Sequence, residues 1–428
     1  MDFKKTINTL RRYIANNFPF IRSFYRIVRW RILQAVRRTY VRNASKMGGL
    51  NVDPYKIFWI DTRLIKKGIY EQIQGVPNTA CVAGLIKGSD WDRAAIPIDD
   101  IDIIKSAKQK FRQGLTWEET EYYQNIIQGM TKGMPRRGCN NKEDVTAYFK
   151  RFDHLYEQIK KHGYKQQNEI VEPEFGWSYT PENEIAVHID RDGHILFCNG
   201  AHRFSIALAL DIKRIPVKVC IRHKKWHEFS CELLEYMKRN KGTVYQPITH
   251  PDLQHIPSAH CEERFDFMRP HVPGGRAKLL DLGANWGYFC HRFEDIGYEC
   301  HAVENDPENL YFLKKLKEAE YRNFKIIDQS ILAYKDNDTF DVVLALNIFH
   351  HFLKKKEDYD ALIAFLQRIK MKMMIFEPHD PSELQMEAAY CNYEPEQFVD
   401  FIMKHANFKY YNKIATAKDG RSIYKLYC

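Results

Sequence analysis

The sequence has no paired cysteines and no long apolar run, and each absence limits what the protein can be. Its 10 cysteines occur singly, without a C-x-x-C pair, so neither a disulfide framework nor a zinc ligand set is predicted. Apolar runs such as VVLALNIF are far shorter than the ~20 residues of a membrane-spanning helix. Because the amino terminus lacks the pattern of a secretory signal, we expect a cytoplasmic protein.

Low-complexity tracts and repeats of fixed period are missing as well, which disfavours solenoids and long disordered regions. The chain has 428 residues, of which 44% are hydrophobic. It can therefore bury more than one core, and we expect two or three globular domains.

Positive charge is concentrated at the start of the chain. Residues 1–43 hold eleven Lys or Arg and one acid, Asp2, within a net charge of +10. Apolar residues at helical spacing between Arg22 and Arg42 predict a basic amphipathic helix, so residues 1–47 form a basic arm. Three roles stay open for it: lying peripherally on the inner face of an anionic membrane, binding nucleic acid, or docking on its own domain.

The rest of the chain divides according to the pattern of its apolar and polar residues. Residues 48–244 mix short strand and helix patterns, and residues 245–276 form a polar, Pro- and His-bearing linker. In residues 277–428, apolar runs alternate with helical patterns of ~10–15 residues, as parallel βαβ units require. Two apolar stretches around the turn KDGR end the chain like a hairpin. We therefore predict a doubly wound α/β domain over 277–428.

The stretch LLDLGANWGYF opens that domain. Its first strand ends at Asp281, Gly283 allows a turn, and Gly287 lets the next helix approach closely. A dinucleotide fingerprint would have glycine at Asn285, and an acid beside a pyrophosphate would repel it. The same acid attracts a cationic ligand such as S-adenosylmethionine.

Two further acids end the next strands. Glu304 lies twenty-one residues after Gly283 and can accept hydrogen bonds from both hydroxyls of a ribose. Asp328 ends the third strand, where it can accept a hydrogen bond from an adenine amino group. Because the carboxyl ends of parallel strands meet at one edge of a sheet, Asp281, Glu304 and Asp328 together predict a cofactor site.

At these residues the chain resembles the class I S-adenosylmethionine-dependent methyltransferases, over all of 277–428 and including HAVEND, IIDQS and LALNIFHHF. The resemblance implies an enzyme with a Rossmann-like seven-stranded sheet whose last strand is antiparallel, and S-adenosyl-L-methionine as cofactor. The cofactor-binding residues that it implies are Asp281, Gly283, Ala284, Asn285, Gly287, Glu304, Asn305, Asp328 and Asn347.

Three residues after the fourth and fifth strands are candidates for catalysis. If the acceptor is a hydroxyl, a general base within hydrogen-bond reach would assist the transfer. His350 and His351 follow the fourth strand and Glu377 ends the fifth, so each is such a candidate. The alternative is structural: paired histidines also form packed turns, and Glu377-Pro378 also shapes loops.

In the middle domain, a glycine turn at Asn199-Gly200 leads into a helix that carries His202 and Arg203 in its first turn. Backbone N–H groups and cations at a helix amino terminus are typical of phosphate binding. The alternative is that Arg203 pairs with a neighbouring acid.

These residues resemble the Gly-x-His-Arg segment of the ParB/sulfiredoxin-type nucleotide-binding fold, over roughly 184–219. The resemblance implies an α+β domain over 48–244 that binds a phosphate or a nucleoside triphosphate with Mg. A kinase is one of the activities that this fold implies. Ala201 stands where the cysteine-repair enzymes of that fold have their reactive cysteine, so their chemistry is not expected.

Upstream, KGSDWDR and QGLTWEETEYY resemble signatures found ahead of the same segment in proteins of cell-surface polysaccharide gene neighbourhoods. Asp90 and Asp92 are either holders of a metal–nucleotide or solvated turn residues. His223 and His227 have the spacing of a helical metal pair but lack a third ligand, so no metal site is predicted.

The leading hypothesis is a methyltransferase that O-methylates a cell-surface glycan or its lipid-linked precursor and carries a second, phosphate-binding module. The first alternative is a methyltransferase acting on RNA or DNA. The second is a non-enzymatic scaffold that senses the cofactor.

Overall fold

The structure is a computed structural model, and it describes residues 56–69, 73, 84–166, 169, 184–260, 263–335 and 338–428. The predicted basic arm lies outside these ranges. The chain divides into two compact units: unit 1 is Met1–Arg191 with Ile195–Cys231, and unit 2 is Asp192–His194 with Glu232–Cys428. No helix within the described ranges is long and apolar enough to cross a membrane.

Unit 1 contains a mixed sheet. Its strands are β1 (Ile57–Asp61), β2 (Lys67–Gly68), β3 (Leu85–Lys87), β4 (Ile96–Pro97), β5 (Ile185–Ile189), β6 (Ile195–Asn199) and β7 (Arg214–His223). In the part that the structure describes, their order is β1-β7-β5-β6-β2-β4, with β3 beside β7. Strand β5 pairs in parallel with β7 and antiparallel with β6, and all five of its residues are buried.

The helices of unit 1 are α1 (Asp102–Gln113), α2 (Glu121–Thr131), α3 (Lys142–His162), α4 (Ala201–Ala209) and α5 (Lys224–Arg239), which continues into unit 2. Helix α1 buries Ile103, Ile104 and Ala107, which lie on one side of a helix, and it packs against α4. The residue after its last turn, Gly114, is the C-cap, and its φ of 81° is the left-handed conformation of a glycine C-cap.

Unit 2 contains the sheet that the sequence predicts. Its strands are β8 (Lys278–Leu282), β9 (Glu299–Glu304), β10 (Lys325–Asp328), β11 (Thr339–Leu346), β12 (Lys370–Glu377), β13 (Tyr410–Thr416) and β14 (Ser422–Tyr427). Among the described residues the order is β10-β9-β8-β11-β12-β14-β13. Strands β8 to β12 pair in parallel and β14 is antiparallel to both neighbours, so the Rossmann-like α/β sheet is confirmed.

Helices cover both faces of this sheet. They are α6 (Glu263–Met268), α7 (Tyr288–Asp295), α8 (Pro307–Ala319), α9 (Lys356–Arg368) and α10 (Pro395–Ala406). Neighbouring residues of β8 enter different cores: Leu279 packs in one cluster with Leu313 of α8, and Leu280 in another with Phe365 of α9. This alternation explains why a strand buried on both faces reads as a continuous apolar run.

Residues 245–276, expected as a linker, lie within unit 2. Ile248, Leu253 and Ile256 are buried there, and α6 contributes Phe265 and Met268 to the core. Their apolar residues are too irregularly spaced to show a helix or strand period, which is why the sequence indicates a linker. The domain limits drawn from the sequence stay predictions.

Candidate functional site

A cavity of about 670 Å³ lies in unit 2, beyond the carboxyl ends of β8, β9, β10 and β11. The strand order reverses between β8 and β11, and ligands bind at such a reversal in open α/β sheets. The sequence predicts its site at this edge, and several of the predicted residues line the cavity. They are Gly283, Asn285, Glu304, Asn305, Asn347, His350 and His351.

The loop between β8 and α7 forms one wall. Gly283 has a φ of +74°, and a Cβ atom there would lie 2.7 Å from Ile348 Cδ1. Gly287 has a φ of +83° at the N-cap of α7, where a Cβ would lie 2.5 Å from Leu313 Cδ1. Asn285 lines the cavity with a left-handed φ of 53°. Gly287 is not among the lining residues, so it serves the packing of α7 on α8.

Glu304 ends β9 at the wall of the cavity. Its Oε2 accepts a hydrogen bond of 2.8 Å from the backbone N–H of Asn285, and its Oε1 accepts bonds of 2.9 Å from the N–H groups of Asn305 and Asp306. Burial raises the pKa of Glu304, and the backbone hydrogen bonds oppose that rise. The carboxylate is therefore fixed in orientation with acceptor capacity left over.

The other two predicted acids do not line the cavity. Asp281 is buried and is not among the lining residues, and burial together with the charge of Glu304 raises the pKa of Asp281 to about 7. Asp328 is exposed, and Lys314 Nζ lies 3.2 Å from its Oδ2. Ser330 and Ile331, just after β10, line the cavity instead. Of the three strand-end acids, the structure places Glu304 alone at the cavity wall.

The turn after β11 contributes the next wall. Asn347 has a left-handed φ of 50°, and its Nδ2 donates to the Tyr245 hydroxyl at 3.3 Å. A 3-10 helix, Phe349–Leu353, then carries both predicted histidines. His350 is 2% exposed, and neither ring nitrogen has a hydrogen-bond partner among the described residues. Burial, with the charges of His351 and a further histidine, lowers the pKa of His350 to about 3.

Glu377 ends β12 but does not line the cavity. It is 1% exposed and forms a two-pronged ion pair with Arg264, with N–O distances of 2.7 and 3.1 Å. Arg264 also donates to Asp419 Oδ2 at 2.7 Å. This pairing occupies the Glu377 carboxylate, and the acid that lines the cavity after β12 is Glu383.

Sequence reasoning missed the lining residues Tyr245, His260, Glu383 and Arg421. Glu383 lies six residues after a strand end, so a wider search after the fifth strand would have found it. Tyr245 and His260 lie before the first strand of the sheet, and Arg421 lies in the closing hairpin. No local pattern marks such residues, because only the fold brings them together.

In unit 1, the Asn199-Gly200 turn forms where it is predicted, between β6 and α4. Gly200 has a φ of +90°, and a Cβ there would lie 3.0 Å from Ile185 Cα. The Nη1 of Arg203 donates to Glu184 Oε2 at 3.1 Å, and both side chains are buried. The alternative interpretation of Arg203, pairing with a nearby acid, is the arrangement that the structure shows.

His202 lies on the same turn of α4 but is turned inward. Its Nε2 is hydrogen-bonded to the Tyr148 hydroxyl, and that hydroxyl also contacts the Tyr122 hydroxyl at 2.6 Å. Burial, with the charges of Arg137 and Arg151, lowers the pKa of His202 to about 3. His202 is therefore uncharged at neutral pH and supplies no positive charge to a phosphate.

Asp90 and Asp92 share one cation. Arg191 Nη2 lies 2.7 Å from Asp90 Oδ1 and 2.6 Å from Asp92 Oδ1. His223 ends β7 and His227 lies in α5, so the two histidines do not share one helical face.

Comparisons with known proteins bear on unit 2. Residues 280–370 match the family model described as a methyltransferase domain. The matched residues lie in unit 2. Over 102 residues the chain is 33% identical to the tRNA U34 carboxymethyltransferase of Dichelobacter nodosus (strain VCS1703A). That match covers 22% of this chain and 32% of the relative, so the chain spans about a third of the relative's length.

Two solved structures match part of the chain. The crystal structure of WbdD has 18% identity and a TM-score of 0.35, and the match covers 45% of this chain and 46% of that one. The PH0226 protein from Pyrococcus horikoshii OT3 has 16% identity and a TM-score of 0.34, over 45% of this chain and 98% of that one. The ParB/sulfiredoxin-like resemblance of residues 48–244 stays a prediction.

Proposed function

We propose that unit 2 transfers a methyl group from S-adenosylmethionine to an acceptor. The observation that carries this proposal is the Glu304 carboxylate, which three backbone N–H groups hold at the wall of a cavity inside a methyltransferase domain. A carboxylate in this position accepts hydrogen bonds from the two hydroxyls of a ribose.

Other lining atoms fit the same cofactor. Among the described residues, Asn285 Oδ1 and Asn347 Oδ1 are buried acceptors without a hydrogen-bond partner, and buried acceptors favour a ligand that brings donors. S-adenosylmethionine has an ammonium, an amino group and ribose hydroxyls. When bound, it supplies an activated methyl group, and the task of the protein is to align the acceptor with that group.

Replacing Glu304 by Gln tests the cofactor site. An amide keeps the shape of the side chain but presents an N–H₂ group to backbone N–H donors and loses the negative charge. We expect the affinity for S-adenosylhomocysteine to fall at least about tenfold in calorimetric titration, equivalent to about 1.4 kcal/mol or more.

The matched control is Glu357→Gln, an exposed acid in α9 outside the cavity lining, which should bind like the native chain. Equal affinities for the native chain and Glu304→Gln would reject the proposed cofactor site.

The acceptor that we propose is a hydroxyl of a cell-surface glycan or its lipid-linked precursor. The KGSDWDR and QGLTWEETEYY stretches support this through their resemblance to proteins of polysaccharide gene neighbourhoods. The basic arm, whose cations lie in residues 1–43, would hold the enzyme on the inner face of the membrane. In this proposal unit 1 binds a phosphate or a nucleoside triphosphate with Mg, and it does so through the backbone of the Gly200 turn, because Arg203 is paired with Glu184.

A second candidate is methylation of RNA or DNA. It is supported by the 33% identity to the tRNA U34 carboxymethyltransferase. The basic arm also supports it, because cations suit phosphate binding. Incubating cell extract with the full chain and labelled methyl donor separates the two. Label in the glycan or lipid fraction supports the first proposal, and label that ribonuclease or deoxyribonuclease releases supports the second.

A further inference from the structure

Part of the cavity wall comes from segments outside the cofactor-binding loops. These residues follow β11 and β12, precede β8, or lie in the turn between β13 and β14. We call them the acceptor end: Tyr245, His260, His350, His351, Glu383 and Arg421. Their charges and free hydrogen-bonding atoms indicate the chemistry of the group that receives the methyl.

The cation of the acceptor end is already compensated. Arg421 Nη2 lies 2.8 Å from Glu383 Oε1, and its Nη1 lies 3.7 Å from Asp419 and 4.0 Å from Glu377. Glu377 and Asp419 are shared with Arg264. Two guanidinium groups thus face three carboxylates, and the cluster has a net negative charge.

Two of the imidazoles, those of His350 and His260, add no positive charge at neutral pH. Burial lowers the pKa of His350 to about 3, and it lowers the pKa of His260 to about 4 with help from neighbouring arginines. Burial also lowers the pKa of His351. Neutral imidazoles exchange hydrogen bonds with hydroxyls but give no ion pair to a phosphate or carboxylate.

The cavity as a whole is therefore unfavourable for an anion. Its described lining holds the acids Glu304, Asp306 and Glu383 against the single cation Arg421. An anion taken from water into this wall would lose its hydration and meet uncompensated negative charge. A cationic donor gains from the same charges, and an uncharged acceptor does not suffer from them.

We propose that the methylated atom is a hydroxyl oxygen on an uncharged, sugar-like part of the acceptor, hydrogen-bonded to His350, and that phosphate and carboxylate groups are excluded from the acceptor end. This inference rests on the proposed methyltransferase function. His350 carries it, because it is 2% exposed, lines the cavity and has two ring nitrogens without a partner among the described residues.

The transfer forms one bond and breaks another. The hydroxyl oxygen bonds to the methyl carbon, and the bond from that carbon to sulfur breaks with its electron pair left on sulfur. Once the methyl carbon has bonded, the oxygen is an oxonium and a far stronger acid than a protonated His350, so its proton passes to a ring nitrogen of His350 and then to water.

The test uses the full chain saturated with S-adenosylhomocysteine. The probes are a panel of neutral methyl hexopyranosides and the matching methyl hexopyranoside phosphates, with binding measured by saturation-transfer NMR and calorimetry. We expect at least one neutral glycoside to bind at least about tenfold more tightly than its phosphate, a difference of about 1.4 kcal/mol. Tighter binding of the phosphates, or no binding of any glycoside, overturns the inference.

Variants locate the effect. His350→Leu should lose glycoside binding and keep S-adenosylhomocysteine binding, and His350→Asn, which retains a polar group, should recover part of it. His162→Leu, at an exposed histidine at the end of α3, is the matched control and should behave like the native chain. Unchanged glycoside binding in His350→Leu contradicts the inference.

Binding of S-adenosylhomocysteine to the native chain distinguishes a failure of the proposed function from a failure of the acceptor inference. If it fails, the proposed function fails. If it succeeds while the phosphates bind better, only the acceptor inference fails.

Discussion

At the scale of single residues, Asp281 and Glu304 show how location separates two acids of the same chemistry. Asp281 is the penultimate residue of β8 and Glu304 the last residue of β9, and their sequence positions predict one cofactor site. Glu304 is held at the cavity wall by three backbone N–H groups, whereas Asp281 is buried beside the Cys290 thiol, which donates to it at 3.8 Å. The sheet places both acids near the same edge, yet Glu304 lines the cavity and Asp281 does not.

The buried carboxyl of Asp281 predicts a pH-dependent stability. Its pKa is about 7 in the folded protein against 3.8 as the ordinary value, so the folded chain binds the proton more tightly than the unfolded chain. Stability from this group is complete below about pH 4 and is lost as the pH rises to about 7. Asp281→Asn removes this loss, and at pH 8 we expect it to be more stable than the native chain by a few kcal/mol, at most about 4.

Calorimetric melting at pH 5 and pH 8 checks this. The native chain should lose more of its melting temperature between the two pH values than Asp281→Asn does. An equal loss in both proteins would mean that the Asp281 carboxyl is already ionised at pH 5 in the folded chain.

At the scale of elements, the loop from β8 to α7 both lines the cavity and packs against α8. Gly287 begins α7 with a left-handed backbone, and the space of its missing Cβ is filled by Leu313 of α8 and Phe324. The spacing of the two loop glycines is visible in the sequence. The residue that fills the space at Gly287 comes from a helix more than twenty residues away, so the sequence shows the need for glycine but not its partner.

Gly287→Ala is expected to destabilise the domain by roughly 2 to 4 kcal/mol, because left-handed strain of about 1–2 kcal/mol adds to the displacement of Leu313. The control is Gly297→Ala, where φ is +95° but no heavy atom lies within 4 Å of the added Cβ. It should cost the backbone strain alone.

Denaturant unfolding of both variants measures the difference. Equal costs for Gly287→Ala and Gly297→Ala would show that the contact with Leu313 adds nothing.

The closing hairpin of β13 and β14 shows which elements a sequence predicts well. Alternating apolar residues around Lys418-Asp419-Gly420-Arg421 indicate two strands and a turn, and the structure pairs them antiparallel. The same turn also supplies Arg421 to the cavity wall and Asp419 to Arg264. That second role has no sequence signal, since the turn would look the same without it.

At the scale of the whole molecule, every lining residue of the cavity falls between Tyr245 and Arg421, inside unit 2. We therefore expect a fragment of residues 232–428 to fold and to bind S-adenosylhomocysteine within about threefold of the full chain, or roughly 0.6 kcal/mol. Calorimetric titration of both proteins is the measurement. A fragment that folds, as judged by a cooperative melt, yet binds much more weakly would show that unit 1 or the arm contributes to the site.

The sequence by itself determined the α/β class of unit 2, its parallel strands, its closing hairpin, the glycine loop and the ribose-binding candidate Glu304. These follow from local periodicity, turn chemistry and the rule that parallel strands end at one edge. Only the tertiary structure decided that Asp281 and Asp328 do not line the cavity, that Arg264 pairs with Glu377, and that Glu184 pairs with Arg203. It also brought Tyr245, Glu383 and Arg421 to one wall. The physical reason is that burial, ion pairing and side-chain direction depend on neighbours distant in the chain, which no local spacing records.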